Sequence, residues 1–401
     1  MQMSPGEILY RKGEKQMNFS DNCIYFDNAA TTAMSETALA AMLPFFRENY
    51  GNPSSVHMPG QKAAAAVFEA RLEIARILNC APSELYFTSG GSEADTQALF
   101  TAAEQGAKND KHHIVASAIE HHAVLGTLAA LEAQGFTVTL LSPGESGIIE
   151  PEQVEAALKP DTCLVSVMYA NNETGALQPV SALGKTLRRR GILFHTDAVQ
   201  AAGHTELDVE KECIDMLSVS AHKFHGPKGI GFLYVRGKLE PKRLIYGGGQ
   251  ERGCRAGTEN VPAIAGMAAA LKEQVQKLPE TQAYVCALRD RLRAGLSEIE
   301  DARLNGSAAN CLAGIANFSF PGVSGEALVS YLSMHGICSS SGSACSAGSV
   351  EPSHVLKAMG LKDNIAGSAI RFSLSEYNTM DEVEAVIRET ARAVKRLRGR
   401  V

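Results

Sequence analysis

Between residues 85 and 235, short apolar runs rich in β-branched residues alternate with longer stretches of helical periodicity. The runs at 85–88, 113–117, 137–141, 163–168, 193–196, 216–219 and 231–235 read as strands. Helical patterns at 63–78, 94–105, 123–134 and 180–190 lie among them. Alternation of this kind favours an α/β architecture with a mostly parallel sheet covered by helices on both faces.

At 401 residues the chain exceeds the roughly 100–200 residues of one ordinary domain. The pattern changes near Pro279. An alanine-rich helix at 261–278 leads out of the first region, and a helix at 281–299 opens the second. Strands near 313–320 and 336–339 follow, then a Ser/Gly-rich stretch at 339–353 that reads as mobile, a strand at 369–373 and a closing helix at 380–398. The expected organisation is a segment at 1–28 joining the small domain, a large domain at 29–278, and a smaller α+β domain at 279–401.

Composition narrows the function classes. Lysine and arginine number 38 against 44 acidic residues, a net charge of −6, which argues against nucleic acid as the main ligand. Nine scattered cysteines form no CxxC pair, so reduced thiols fit better than a secreted disulfide framework. No apolar run approaches the roughly 20 residues that span a bilayer, and the amino end lacks a signal-peptide pattern. A cytoplasmic protein is expected.

Three segments carry candidate chemistry. Ser89-Gly90-Gly91-Ser92-Glu93 follows a strand and opens a helix, where glycines and free helix-start N–H groups suit a phosphate; an ordinary cap by Ser92 and Glu93 is the alternative. His195-Thr196-Asp197-Ala198-Val199-Gln200 puts a carboxylate at a strand's carboxyl end, where open α/β sheets bind ligands. Asp197 there suits a protonated ring nitrogen, or caps a following helix. Ser220-Ala221-His222-Lys223-Phe224-His225-Gly226-Pro227-Lys228 places Lys223 just after a strand, as a Schiff-base lysine or a plain turn residue; Lys228 reads as a solvated turn residue.

Together with other segments in the same order, these resemble the cysteine desulfurases of the NifS/IscS type. These are class-V aminotransferase relatives with the fold-type-I architecture of pyridoxal-phosphate enzymes. The matching segments include Asp27-Asn28-Ala29-Ala30-Thr31-Thr32, Glu120-His121, Asn171-Asn172-Glu173, Gly247-Gly248-Gly249-Gln250-Glu251, Arg255-Ala256-Gly257-Thr258, Ser341-Gly342-Ser343-Ala344-Cys345 and Arg371-Phe372-Ser373. The resemblance implies a large domain with a mainly parallel seven-stranded sheet and a smaller α+β domain. It implies pyridoxal 5'-phosphate held covalently by Lys223, which also moves the substrate Cα proton. Asp197 would pair with the ring nitrogen, and His121 would stack on the ring. Asn172 and Gln200 would bond around the ring hydroxyl, Asn172 also lying at the substrate. Gly91, Ser92, Ser220 and His222 would hold the phosphate. Thr258 would reach the phosphate of a second subunit, which implies a homodimer, and Arg371 would clamp the substrate carboxylate.

Cys345 is the expected acceptor of sulfur from L-cysteine, because it sits among Ser, Gly and Ala with nothing to bury it. Cys163, Cys213, Cys286 and Cys311 read as small buried hydrophobes and Cys338 as structural. The implied reaction converts L-cysteine to L-alanine and leaves a persulfide on Cys345. The family delivers such sulfur to iron–sulfur scaffolds or tRNA-thiolation enzymes. A selenocysteine lyase is the nearest alternative; an aminotransferase and a non-catalytic scaffold lie further off. No metal is expected.

Overall fold

The computed structural model describes residues 23–237, 239–341 and 352–399. A two-residue strand, β1 (Ile24–Tyr25), opens this span. The next seven strands form one sheet: β2 (Leu85–Thr88), β3 (His113–Ser117), β4 (Thr137–Leu141), β5 (Thr162–Ser166), β6 (Leu193–Asp197), β7 (Met216–Ser220) and β8 (Gly231–Val235). Their spatial order is β2-β8-β7-β6-β5-β3-β4. All pairs from β4 to β7 are parallel, as the alternation predicts. β8 runs antiparallel to both β7 and β2. The connection at 221–230 holds only a short 3-10 turn, Ala221–Lys223, too little for the helical crossover that a parallel pair requires. Strands β3, β5, β7 and β8 are buried along their whole length, whereas the edge strand β4 exposes Thr137 and Leu140.

The remaining strands are β9 (Arg303–Leu304), β10 (Ile315–Ser319), β11 (Ile337–Cys338) and β12 (Ala369–Ser373). β12, β10 and β9 form an antiparallel sheet, while β1 pairs in parallel with β11. Phe26, Phe318 and Phe372 share a separate core with the closing helix Met380–Leu397 through Val383 and Val386.

One expectation fails at Pro279. Instead of two helices, a single helix, Val261–Ser297, runs through the proline. A proline inside a helix removes one hydrogen bond and costs about 3 kcal/mol. Burial on both sides offsets this. Ile264, Met267 and Leu271 lie in the core of the large sheet, and Leu288, Leu292 and Leu296 in the second core. Each fully buried side chain of this kind contributes roughly 1.5–3 kcal/mol. The helix therefore belongs to both cores. Among the described residues no helix is long and apolar enough to cross a membrane.

A buried ion pair ties β2, which leads into the Gly90–Gly91 turn, to its surroundings. Arg71, on the helix Met58–Leu78, donates to both carboxylate oxygens of Glu251 at 3.0 and 2.7 Å and to the Leu85 carbonyl at 2.6 Å. Glu251 also accepts from the Phe87 N–H at 3.0 Å. Removing one partner leaves the other charge buried and uncompensated. Glu251→Ala is expected to lower unfolding free energy by about 3–5 kcal/mol, read as a shift of the urea midpoint against wild type; a change within about 0.5 kcal/mol contradicts the assignment.

Candidate active site

The carboxyl ends of β6 and β7 face a cavity of about 540 Å³. Asp197 ends β6, Ser220 ends β7, and the turn after Ser220 delivers Lys223 to the same cavity. Gln200 and His222 line it as well. Lys223 Nζ donates to the carbonyls of Ala29 and Ala30 at 2.7 and 2.8 Å. Asp197 Oδ1 accepts from the Val199 N–H at 2.9 Å. No helix follows Asp197, so the capping alternative falls away. Burial pushes its carboxyl up to about 6, against the lowering pull of the Val199 N–H and Lys223.

Opposite lies the start of the helix Gly91–Ala107. Its cap residue is Gly90, not Ser92, and no side chain caps it. Gly90 has φ +152°, and a Cβ on Gly91 would meet Val199 Cγ2 at 2.7 Å. Ser92 lies in the first turn, and Ser220 faces the same bend, its Cβ 3.6 Å from a Cβ built on Gly91. Helix-start N–H groups, a glycine bend and hydroxyls make an anion cradle. Burial holds His222 down near 4, with Lys223 and Lys228 adding to the effect. Lys228 is exposed, as a turn residue should be, yet it stands at the cavity rim.

His121 serves two roles at once. It caps the helix His122–Glu132, its Nδ1 accepting from the Ala123 N–H at 3.1 Å, while also lining the cavity. Accepting at Nδ1 leaves the proton on Nε2. Burial lowers its pKa to about 4, with Lys223 and His122 contributing, so the ring is neutral at neutral pH.

Arg371 reaches the cavity from β12. It donates through Nη1 to the Asn172 carbonyl and through Nη2 to Asp27 Oδ1, each at 2.8 Å. Its Nε is buried without a hydrogen-bond partner among the described residues. A buried donor in a cavity suits an incoming carboxylate. Asn172 also lines the cavity.

Two expected residues stand apart. Thr258 lines an adjoining cleft that shares Ser89 and Gly229 with the main cavity, and the cap of the helix beginning at Val261 is Asn260. Cys345 lies outside the described residues.

These positions fit pyridoxal phosphate on structural grounds: an amine, a buried carboxylate, a neutral imidazole and an anion cradle border one cavity. The class-V aminotransferase family profile matches residues 24–386. The chain belongs to the class-V aminotransferases. It is 43% identical over 385 residues to "Cysteine desulfurase IscS" of Methanosarcina thermophila, covering 96% of this chain and 95% of the relative. It is 45% identical over 377 residues to "Cysteine desulfurase 2" of Trichormus variabilis, covering 94% of each. A solved "NIFS-LIKE PROTEIN" superposes with a TM-score of 0.87 at 39% identity, over 92% of this chain and 98% of that one. "SspA in complex with cysteine" gives 0.77 at 37% identity, over 89% of this chain and all of that one. Family members of this kind use pyridoxal phosphate, and the seven-stranded, mainly parallel sheet is the one the resemblance implies.

Several supporting residues had no role assigned from the sequence, although Asp27, Ala29 and Ala30 stand in one of the matching segments. Asp27 sets Arg371, and Ala29 and Ala30 hold Lys223. Asp95 lines the cavity while almost wholly buried, 3.6 Å from His195 Nε2. Burial, with Asp197 nearby, raises its carboxyl well above the usual range. His195 itself bonds to the Ser166 and Ser218 hydroxyls, and no metal-binding cluster exists among the described residues. The available signal for Asp95 is an acid on a helix face otherwise bearing buried Ala94, Ala98 and Ala102.

His121 and His222 titrate near 4 and His195 near 3 in the folded chain, against about 6.5 when unfolded. Between these values the unfolded chain binds more protons. Their contribution to stability is therefore complete above about pH 6.5 and is lost as pH falls towards 4. His121→Gln removes up to one proton from this difference, flattening the pH dependence of unfolding free energy by up to about 1.4 kcal/mol per pH unit. Urea midpoints of the cofactor-free protein between pH 4 and 7 read this directly. Parallel wild-type and variant curves contradict a buried neutral His121.

Proposed function

We propose that the chain is a pyridoxal-phosphate-dependent cysteine desulfurase that converts L-cysteine to L-alanine and takes the sulfur onto Cys345. The observation that carries this reading is the meeting of Lys223, Asp197 and His121 in one cavity with the Gly90–Gly91 bend. The chain around them is 43% identical to a cysteine desulfurase over nearly its whole length. The relatives and solved structures reported above favour cysteine over selenocysteine as substrate.

When bound, pyridoxal phosphate supplies an electron sink for a carbanion at the substrate Cα. Lys223 holds the cofactor and then moves the Cα proton. Asp197 accepts a hydrogen bond from the ring N–H, and that positive partner stabilises the carboxylate which burial alone disfavours. His121 covers the ring face as a neutral imidazole and relays protons. Asn172 and Gln200 serve the ring hydroxyl. Gly91, Ser92, Ser220 and His222 hold the phosphate, with Lys228 adding positive charge at the rim. Arg371, oriented by Asp27 and the Asn172 carbonyl, pairs with the substrate carboxylate. Cys345 acts as thiolate: it attacks the substrate sulfur, the Cβ–S bond breaks with its electron pair left on Cβ, which takes up a proton to become the methyl group of L-alanine, and Cys345 keeps the sulfur as a persulfide.

Two features support a homodimer in which Thr258 serves the second subunit's phosphate. Thr258 lies in a cleft beside its own cavity rather than within it. Large apolar side chains stand exposed at Tyr50, Val56, Met58 and Tyr246, an arrangement that suits a covered face. A cytosolic setting with reduced thiols suits a persulfide carrier whose acceptors are iron–sulfur scaffold or tRNA-thiolation proteins.

The decisive test pairs two variants. Lys223→Ala is expected to lose the cofactor's visible absorbance band and all alanine release. Cys345→Ser is expected to keep that band yet release alanine from L-cysteine at no more than about 1% of the wild-type rate, the scale set by removing a reacting group. A Cys345→Ser protein that releases alanine at the normal rate rules out the nucleophile, and an unchanged band in Lys223→Ala rules out the cofactor lysine.

A further inference from the structure

Cys23 and Cys338 stand 315 positions apart in sequence with their Sγ atoms 3.0 Å apart. β1 and β11 pair with Ile24 opposite Ile337 and Tyr25 opposite Cys338. Alternation puts Cys23 on the same face as Tyr25, so the two cysteines are diagonal neighbours on one face of this short ladder. Both are half-buried and open to small reagents. Among the described residues they are the one pair of cysteine sulfurs in contact. A disulfide needs a separation of about 2.05 Å, so closure requires a movement of only about 1 Å.

We propose that Cys23 and Cys338 form a reversible disulfide site, oxidised by small-molecule disulfides, that ties β1 to β11 and loosens the Arg371 anchor. Cys23 thiolate attacks the reagent disulfide and forms a mixed disulfide as one reagent thiolate leaves. Cys338 then attacks the Cys23 sulfur, gives up its proton, and expels the second reagent thiolate. Two protein thiols are oxidised to one disulfide while the reagent disulfide is reduced to two thiols. Burial and the neighbouring Cys23 push the Cys338 thiol up to about 11, so Cys338 is the weaker first nucleophile, and its attack relies on the Cys23 sulfur already lying beside it.

The site borders the substrate end of the cavity. Past β1, the Phe26 N–H donates to the Cys338 carbonyl at 3.0 Å, and the next residue is Asp27, which accepts from Arg371. Two residues past Cys338, Ser340 exchanges backbone hydrogen bonds with Arg371 at 2.6 and 3.1 Å. The two strands joined by the cysteines thus run straight into two of the groups that fix Arg371. Drawing the sulfurs together shifts Asp27 against Ser340 and disturbs a guanidinium that is already oriented in the open form. This consequence rests on Arg371 as the carboxylate anchor; the bond itself does not.

The test uses holoenzyme carrying Cys345→Ser, so that the proposed sulfur acceptor cannot react. After treatment with hydroxyethyl disulfide, free thiols are alkylated and the digest is analysed by mass spectrometry. The expected product is a peptide pair joined through Cys23 and Cys338, released by reductant and missing when Cys23→Ser is added. Recovery of both cysteines as alkylated thiols, or as separate mixed disulfides, overturns the proposal. L-alanine binding, followed through the cofactor spectrum, is expected to be about three- to tenfold weaker in the linked protein, as when one hydrogen bond to a charged group is weakened. The Cys23→Ser control is expected to show no such change. A complete cross-link with unaltered affinity overturns the coupling to Arg371. Failure of alanine to perturb the spectrum of either form overturns the desulfurase reading and leaves the disulfide standing.

Discussion

Burying a carboxylate at the end of β6 is the constraint around which the cavity is arranged. Asp197 has one local donor, the Val199 N–H, and Lys223 as its lowering cationic influence. Burial, with Asp197 adding to it, raises the Asp95 carboxyl, and Glu120 is pushed up to about 8, chiefly by burial, with Asp197 adding to the shift. Burial and repulsion favour the protonated forms of Asp95 and Glu120 and leave Asp197, with Lys223 near it, as the acid placed to carry charge. Under the proposed function a protonated ring nitrogen would face Asp197 and further favour its ionised form.

Sheet topology puts these groups within reach. Asp197 and Ser220 end adjacent parallel strands, so one edge presents the acid and the Ser220 hydroxyl, the latter proposed to hold the phosphate. The reversal of β8 keeps the following connection short, which confines Lys223 to a turn directly over that edge. A longer crossover would give the lysine far more freedom. The other side comes from the second core. β12 carries Arg371, while Asp27 follows β1, and both strand partners belong to that core's sheets. The helix passing through Pro279 holds the two cores together, which explains why the backbone accepts the missing hydrogen bond there.

Much of this was legible in the sequence because local pattern and chemistry coincided. The strand runs were readable from β-branched clusters, and Lys223 and Asp197 stood out at strand ends. Pro279 misled because a local breaker was overridden by apolar side chains on both flanks, a tertiary effect that no window reveals. At Ser92 the sequence left a cap open as the alternative, and the structure sets it aside: Gly90 is the cap residue and Ser92 lies in the first turn. Asp95 was illegible because an acid within a helix usually faces water, and Asp27 stood in a matching segment without a role assigned to it. Only three-dimensional packing distinguishes Asp95, at 1% exposure, from an ordinary surface acid.

The same contrast separates the two ends of the proposed reaction. Lys223, Asp197 and His121 are held by backbone contacts: two carbonyls on the lysine, an N–H on the aspartate and an N–H on the histidine. Such contacts fix position without depending on the identity of a neighbouring side chain. Arg371 is set instead by a carbonyl and a carboxylate, the latter on a segment that pairs with β11 over two residues and bridges Ser373 of β12 at Asp27. A two-residue ladder contributes little cooperative stability. The proposed cofactor end is therefore built into the large sheet, while the proposed substrate end is built where β12 meets the segments that follow β1 and β11. Under the proposed function an adjustment of substrate affinity can enter at that junction, because Asp27 and Ser340, which bond to Arg371, both follow the strands that carry the two cysteines.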